Sequence, residues 1–274
     1  MTVLLHISDT HFGTEEPPVV EALQRLAREA RPDAVILSGD ITQRARRAQF
    51  EAARRFCDSL EVPRLLALPG NHDIPLYNVA ARMFSPYGGY KAFFGPELEP
   101  ELEFADVLVV GVNTTRPHRH KDGEVSVKQV NRVVHRLRQA RREQLRVVVT
   151  HQPACVMRDE DLKDRLHGGE VAVQAWSRAG ADLVLGGHIH LPYVSDVCSL
   201  VQEAETPRSM YCVQAGTALS HRVRHGSPNS VNIIRWTPPA DGEARVCRVE
   251  RWDFDLAKCA FCLTHPHALR LGDA

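Results

Sequence analysis

The chain has 274 residues, of which 43% are hydrophobic and 25% charged, an ordinary composition for a globular protein. Lysine plus arginine and aspartate plus glutamate number 34 each, and this balance argues against nucleic acid as the main partner. No apolar segment approaches the roughly 20 residues of a membrane span, and no signal-peptide core is evident. We therefore expect a cytoplasmic protein, and the sequence leaves open whether it forms a homo-oligomer.

Apolar runs and helical spacings alternate over the first 70 residues. Residues 2–7, 34–37 and 65–68 are apolar runs that predict buried strands. Apolar positions at helical spacing predict helices over 16–30 and 50–60. This alternation indicates βαβ units with a parallel sheet, in which ligands gather at the carboxyl ends of the strands.

The pattern changes along the rest of the chain. Helical spacing recurs at 130–137 and 171–179, and further short strands are predicted at 104–112 (a pair), 147–149, 183–185, 211–215, 231–236 and 244–254. The last three favour added antiparallel strands, and residues 77–100 are expected to be irregular. We predict a single domain over residues 1–255 and a tail, 256–274, with no predicted element.

Polar side chains that bind metals recur where predicted strands end. They are Asp9, His11, Asp40, Asn71, His72, His151, His188 and His190. Asp9 and His11, like His188 and His190, are two residues apart, so in extended backbone each pair faces one side. Imidazole, carboxylate and amide ligands without a cysteine cluster favour Mn, Fe, Co, Zn or Ni. Seven of these eight residues, all except His72, are candidates for direct ligands, which is too many for one ion. They fit two ions that share a carboxylate, a known device for activating water against a phosphoryl centre.

Five short blocks carry a family resemblance. They are Asp9-Thr10-His11, Gly39-Asp40, Gly70-Asn71-His72-Asp73, His151 and Gly187-His188-Ile189-His190. Together and in this order they resemble the calcineurin-like metallophosphoesterase superfamily, and the stretch from Gly70 to Pro75 is most similar to bacterial class III cyclic nucleotide phosphodiesterases. The resemblance implies an α/β fold, a four-layer α/β/β/α sandwich of two mixed sheets.

The resemblance also implies a ligand set for two divalent or mixed-valence ions. One ion would be held by Asp9, His11, Asp40 and His190, and the other by Asp40, Asn71, His151 and His188. Asp40 would bridge them, and a hydroxide between the ions would be the nucleophile.

His72 lies outside that ligand set. An imidazolium beside the ions would stabilise the charge of the phosphate or protonate the leaving oxygen. Asp73 either hydrogen-bonds the His72 ring and keeps it protonated, or caps the turn. Arg222 and Arg224 are candidate substrate contacts in a basic loop, for which simple solvent exposure is the alternative.

The predicted tail contains two cysteines and two histidines, Cys259, Cys262, His265 and His267. Four such residues are enough for a small zinc site, although their spacing is tighter than in common zinc fingers. The alternative is that they have no metal role.

The leading hypothesis is a dinuclear phosphodiesterase acting on a small phosphodiester, with 3′,5′-cyclic nucleotides as the favoured class. The same ligands would also serve a phosphomonoesterase or a nucleotide-linked pyrophosphatase. A hypothesis of another class is a metal-binding interaction module without turnover.

Overall fold

The computed structural model describes residues 1–197, 209–224, 226–240 and 242–272. The strands are β1 Thr2–Ile7, β2 Ala34–Leu37, β3 Leu65–Ala67, β4 Glu101–Glu103, β5 Val107–Gly111, β6 Leu145–Val149, β7 Leu183–Gly186, β8 Tyr193–Asp196, β9 Tyr211–Gln214, β10 Ser230–Trp236, β11 Val246–Asp255 and β12 Ala260–Arg270. The helices are α1 Pro17–Ala30, α2 Arg47–Ser59, α3 Val79–Phe84, α4 Gly88–Phe94, α5 Val127–Arg138 and α6 Gly169–Arg178, and 3₁₀ turns form at Asn71–Asp73 and Asp159–Asp164.

Two six-stranded sheets form the centre of the fold. Their strand orders are β12-β11-β10-β1-β2-β3 and β4-β5-β6-β7-β9-β8. Parallel pairs β1-β2-β3 and β5-β6-β7-β9 are extended by antiparallel strands, so both sheets are mixed. The predicted four-layer α/β/β/α sandwich is confirmed.

Alternation along the strands explains why the sheets stack. In β1, Leu4 faces the core between the sheets, where it joins residues such as Val147 and Leu185. Its neighbours Val3 and Leu5 point the other way, into the core beneath α1 and α2. Because successive strand side chains alternate, each sheet buries both faces, one against the other sheet and one against helices.

Two short helices occupy the segment expected to be irregular. α3 and α4 have six and seven residues, too few turns for a helical period to emerge from the sequence. Tyr90 of α4 is buried and donates to the carbonyl of Ala67 at 2.7 Å, which ties this segment to β3. The expectation for residues 77–100 was therefore wrong.

The predicted tail adds the edge strand of the first sheet. β12 pairs antiparallel with β11 from Ala260 opposite Asp255 to Arg270 opposite Val246, with one register shift near Arg251. The sheet thus runs past the predicted boundary at residue 255, while residues 273 and 274 lie outside the described part. The register shift interrupts the alternation of side chains and Pro266 is unusual in a strand, which is why no strand was predicted here.

The same strand separates the four residues suggested for a zinc site. Cys259 precedes β12 and His267 lies within it, so the four side chains are strung along extended backbone that rises about 3.3 Å per residue. Among the described residues, the clusters with metal-binding geometry contain none of the four. Nor does any described helix have the length and apolarity needed to cross a membrane.

We predict that β12 contributes to stability through its buried side chains. Leu269 is 6% exposed and Leu263 is 45% exposed on the same strand. Leu269→Ala should lower the free energy of unfolding by about 2–4 kcal/mol, because it leaves a cavity between the sheets. Leu263→Ala is the matched control and should change it little. Urea denaturation measures both, and equal effects would show that β12 is not packed as described.

Candidate metal centre

Three strand-end side chains form the first cluster, Asp9, His11 and His190. The Nε2 atoms of His11 and His190 are 3.0 Å apart, and Nε2 of His190 lies 3.2 Å from Oδ1 of Asp9. That oxygen is buried and accepts no hydrogen bond. Two ring nitrogens and an unpartnered carboxylate oxygen therefore face one point, as ligands of a metal ion do.

Asp40, Asn71, His151 and His188 form the second cluster. Nε2 of His151 lies 3.2 Å from Oδ1 of Asn71 and 3.3 Å from Oδ1 of Asp40. Both ring nitrogens of His188 are buried without a hydrogen-bond partner. Burying an imidazole in this way costs free energy unless a metal ion or another polar group binds the ring.

The Asp40 carboxylate lies between the clusters. Its Oδ1 faces His151 in the second cluster, and its Oδ2 is 3.8 Å from Nε2 of His11 in the first. Nε2 of His72 is 4.0 Å from the same Oδ2. Asp40 is thus placed as the bridging carboxylate that the resemblance implies.

Main-chain carbonyls orient two of the histidine rings. Nδ1 of His151 lies 2.9 Å from the Ser38 carbonyl, and Nδ1 of His190 lies 2.6 Å from the Arg222 carbonyl. Since a carbonyl only accepts, Nδ1 of each ring carries a proton, and Nε2 faces the cluster as the atom that would bind a metal ion.

Five of the candidate ligands have left-handed backbone, which is uncommon for residues other than glycine. They are Asp9, His11, Asp40, His188 and His190, with φ between 44° and 71°. A Cβ on Gly39 would come within 2.5 Å of the His151 ring, and one on Gly70 within 2.0 Å of the Asp40 nitrogen. Strain and close approach at one place are typical of functional sites.

Burial and charge act together on the ionisable groups. Burial lowers the pKa of His11 to about 3 and that of His188 to about 4. Although burial opposes the shift, Asp40 raises the pKa of His151 to about 9. Burial likewise opposes the shift of Asp40, yet His151 and His72 hold its pKa well below the usual range. Asp9 likewise raises the pKa of His190, although burial opposes that shift. Ionised carboxylates and neutral imidazoles are the forms that bind divalent cations, so metal binding would release the protons of His151 and His190. The residues present therefore fit a metal centre.

Asp73 does not contact the His72 ring. Its buried carboxylate accepts from the backbone nitrogens of Gly70, Ile41 and Thr42 at 2.8–3.0 Å and from the Thr42 hydroxyl at 2.8 Å. The expectation that Asp73 holds the His72 ring is wrong, because the 3₁₀ turn at Asn71–Asp73 directs the two side chains apart. The capping alternative is the one that the structure favours.

The main-chain carbonyl of Gln43 takes the place expected of Asp73, since it lies 2.9 Å from Nδ1 of His72. The Gln43 side chain also accepts from Nη1 of Arg222 at 3.0 Å. Gln43 was not predicted as a site residue, although it stands only three residues after Asp40 in the loop that follows β2.

The two candidate arginines differ in their surroundings. Nη1 of Arg222 lies 3.3 Å from both Nδ1 of His11 and Nε2 of His72, beside the metal centre. Arg224 is paired with Asp161 at 2.9 Å and also with Glu160. Arg222 is therefore placed to meet a ligand at the clusters, whereas the charge of Arg224 is already compensated.

These residues open onto a cleft of about 1010 Å³. Its lining includes Asp40, Asn71, His72, His188, His190, Gln43, Arg44, Leu76, Lys121, Asp161, Asp164, Arg222 and Arg224. A small phosphate ester can thus reach the clusters from solvent.

Known proteins share this sequence pattern. The sequence model of the calcineurin-like phosphoesterase family matches residues 2–192. Glycerophosphodiester phosphodiesterase GpdQ of Enterobacter lignolyticus is 42% identical over a segment that covers 26% of this chain and 29% of that protein. The match to GpdQ therefore spans less than a third of its length.

Solved structures share the fold. Purple acid phosphatase PPD1 from yellow lupin superposes with a TM-score of 0.68 at 12% identity, over 98% of this chain and 53% of that one. A dimetal phosphatase from Danio rerio gives 0.64 at 12% identity, over 98% of both chains. At such identities the likeness concerns the fold alone.

We predict that Asp73 stabilises the loops around the metal centre. Asp73→Ala should lower the free energy of unfolding by at least about 2 kcal/mol, because buried backbone donors lose their acceptor. Asp58→Ala, which removes an exposed carboxylate on α2, is the control and should have little effect. Guanidinium denaturation measures both, and a stable Asp73 variant would contradict the capping role.

Proposed function

We propose that this chain, which belongs to the calcineurin-like phosphoesterase family and is a metallophosphoesterase, hydrolyses small phosphodiesters with two metal ions. The observation that carries the proposal is the Asp40 carboxylate, which faces His151 with one oxygen and His11 with the other. Two ligand clusters with a shared carboxylate are the arrangement of two-ion hydrolytic sites.

The donor sets fit two ions of the borderline group. The first cluster with Asp40 offers two carboxylates and two imidazoles, and the second offers a carboxylate, an amide oxygen and two imidazoles. When bound, such ions activate water and neutralise phosphate charge. The choice among Mn, Fe, Zn, Co and Ni stays a prediction, as does a cytoplasmic location.

Residues beside the clusters would act on the substrate itself. Arg222, which lines the cleft beside His72, would donate to a non-bridging phosphate oxygen, and Nε2 of His72 lies near Asp40 in the same cleft. His72 would contact the phosphate or the leaving oxygen, because the negative charge of the phosphate must be stabilised and the leaving oxygen must be protonated. Asn71 would orient the phosphate as well as hold metal, and Arg224 would act only at the margin of the cleft.

Phosphodiesters are favoured over monoesters by two observations. The partial match to GpdQ is to a protein named for a phosphodiester substrate. The cleft, at about 1010 Å³, also leaves room for a substituent on each side of the phosphate. Cyclic nucleotides are the finer proposal, and a phosphomonoesterase or pyrophosphatase is the alternative on the same site.

A metal-binding interaction module is the less favoured reading. Every position of the ligand pattern is present, and the unpartnered atoms of Asp9 and His188 face the cluster interior. Metal-dependent turnover of an aryl phosphodiester would exclude that reading.

We predict that substitutions of Asn71 and His72 have different effects on metal content and on the catalytic rate. Asn71→Ala should lose metal and activity together. His72→Ala should keep the metal content of the wild type and lose rate by about 10²-fold or more, because a general acid or an electrostatic contact is removed. Elemental analysis beside steady-state kinetics measures both effects.

The control for these variants is His135→Ala, which removes an exposed histidine of α5 and should change neither quantity. Loss of metal in His72→Ala would place His72 among the ligands and contradict its assignment.

A substrate panel tests the proposed reaction. It compares 3′,5′- and 2′,3′-cyclic nucleotides, an aryl phosphodiester, an aryl phosphomonoester and a nucleotide-linked pyrophosphate, each with several divalent ions. We expect metal-dependent turnover with the highest kcat/KM on a diester. A higher kcat/KM on the monoester or the pyrophosphate would favour the alternative.

A further inference from the structure

A second hollow adjoins the catalytic cleft. It has a volume of about 620 Å³ and lies between the loop after β2 and helices α3 and α4. Arg44 and Leu76 line both the cleft and this hollow. A substituent of a phosphate ester held at the metal centre can therefore extend past these two side chains into the hollow.

The charge of the hollow is one-sided. Arg44, Arg46 and Arg47 line it, and its lining contains no aspartate or glutamate. Within the described part of the chain, none of the three is paired with a carboxylate. Because the whole chain has a formal net charge of zero, this excess is local and produces a positive potential beside the site.

The opposite side of the cleft is different. Lys121 is paired with Asp164 at 2.5 Å, and Arg224 is paired with Asp161 and Glu160. Two cations on that side are therefore compensated within the protein, and only Lys163 lines the cleft there as an exposed lysine without a paired carboxylate among the described residues. The three arginines of the hollow are the larger uncompensated charge, so a further negative charge of a ligand gains most there.

Aromatic rings hold two of the arginines in place. The Arg44 guanidinium lies 5.4 Å from the centre of the Tyr77 ring, and that of Arg47 lies 5.3 Å from the centre of the Phe93 ring. A guanidinium stacked on a ring keeps its edge donors available and loses less freedom when it binds an anion. The stacking distinguishes these side chains from freely moving surface arginines.

We propose that this hollow binds a second anionic group, a phosphate or carboxylate on the non-leaving arm of the phosphodiester substrate. The proposal rests on the proposed function, because it concerns the part of the substrate that remains when the ester bond is cut. It defines the substrate class as phosphodiesters that carry a further negative charge.

The test uses two aryl phosphodiesters that differ only at the end of the second arm. One arm ends in a propyl hydroxyl, and in the other compound that hydroxyl is phosphorylated. Release of the aryl alcohol gives kcat/KM for each. We expect the phosphorylated compound to have the higher kcat/KM, mainly through a lower KM, by about fivefold or more. The advantage should shrink between about 0.01 M and about 1 M salt, since the Debye length falls from about 30 Å to about 3 Å.

Arginine variants inside and outside the hollow test whether the preference for the phosphorylated compound comes from the hollow. Arg46→Gln/Arg47→Gln should abolish the advantage of the phosphorylated compound, and Arg142→Gln, an exposed arginine before β6, should preserve it. Calorimetric binding of propane-1,3-diol bisphosphate should weaken in the first variant only. Equal kcat/KM for the two compounds in the wild type, or an unchanged ratio in the double variant, would overturn the proposal. Absence of turnover of the hydroxyl compound would instead count against the proposed function.

Discussion

The burial of Asp40 between two groups of histidines is the constraint on which the rest of the site depends. An ionised carboxylate that is buried away from water is stable only when positive charges or hydrogen-bond donors lie next to it. Here Asp9 and Asp40 are both buried, and burial lowers the pKa values of two of the surrounding rings, those of His11 and His188. Two divalent cations would neutralise the carboxylates and bind the unpartnered ring nitrogens together, which would link the electrostatics of the site directly to its chemistry.

The fold positions these groups through the ends of its strands. β1 and β2 of one sheet and β6 and β7 of the other bring their carboxyl ends to one edge of the sandwich, where Asp9, Asp40, His151 and His188 follow. Asp73 then binds the loop after β2 to the turn after β3. Asp40 and His72, the proposed bridging ligand and the proposed substrate contact, are therefore held by one network, so loop stability and catalysis should be coupled.

Much of this arrangement could be predicted because it depends on periodicity and on strand ends. The apolar runs predicted β1, β2 and β3, and the polar residues that follow these strands were the predicted metal ligands. Local contacts were harder to predict. Because Asp73 and His72 are adjacent in the sequence, a hydrogen bond between their side chains was expected, but in the 3₁₀ turn each side chain has other partners. The main-chain carbonyl of Gln43 contacts His72, and its side chain accepts from Arg222, which is 179 positions away in the sequence. Neither contact has a sequence pattern from which it could be predicted. β12 was missed because its alternation is broken.

The most direct test of a shared two-ion site is anomalous diffraction from crystals grown with Mn²⁺. We expect two peaks separated by about 3.5–4 Å, one beside Asp9, His11 and His190 and the other beside Asn71, His151 and His188, with Asp40 contacting both. A single peak at full occupancy, or two peaks that do not share Asp40, would contradict it.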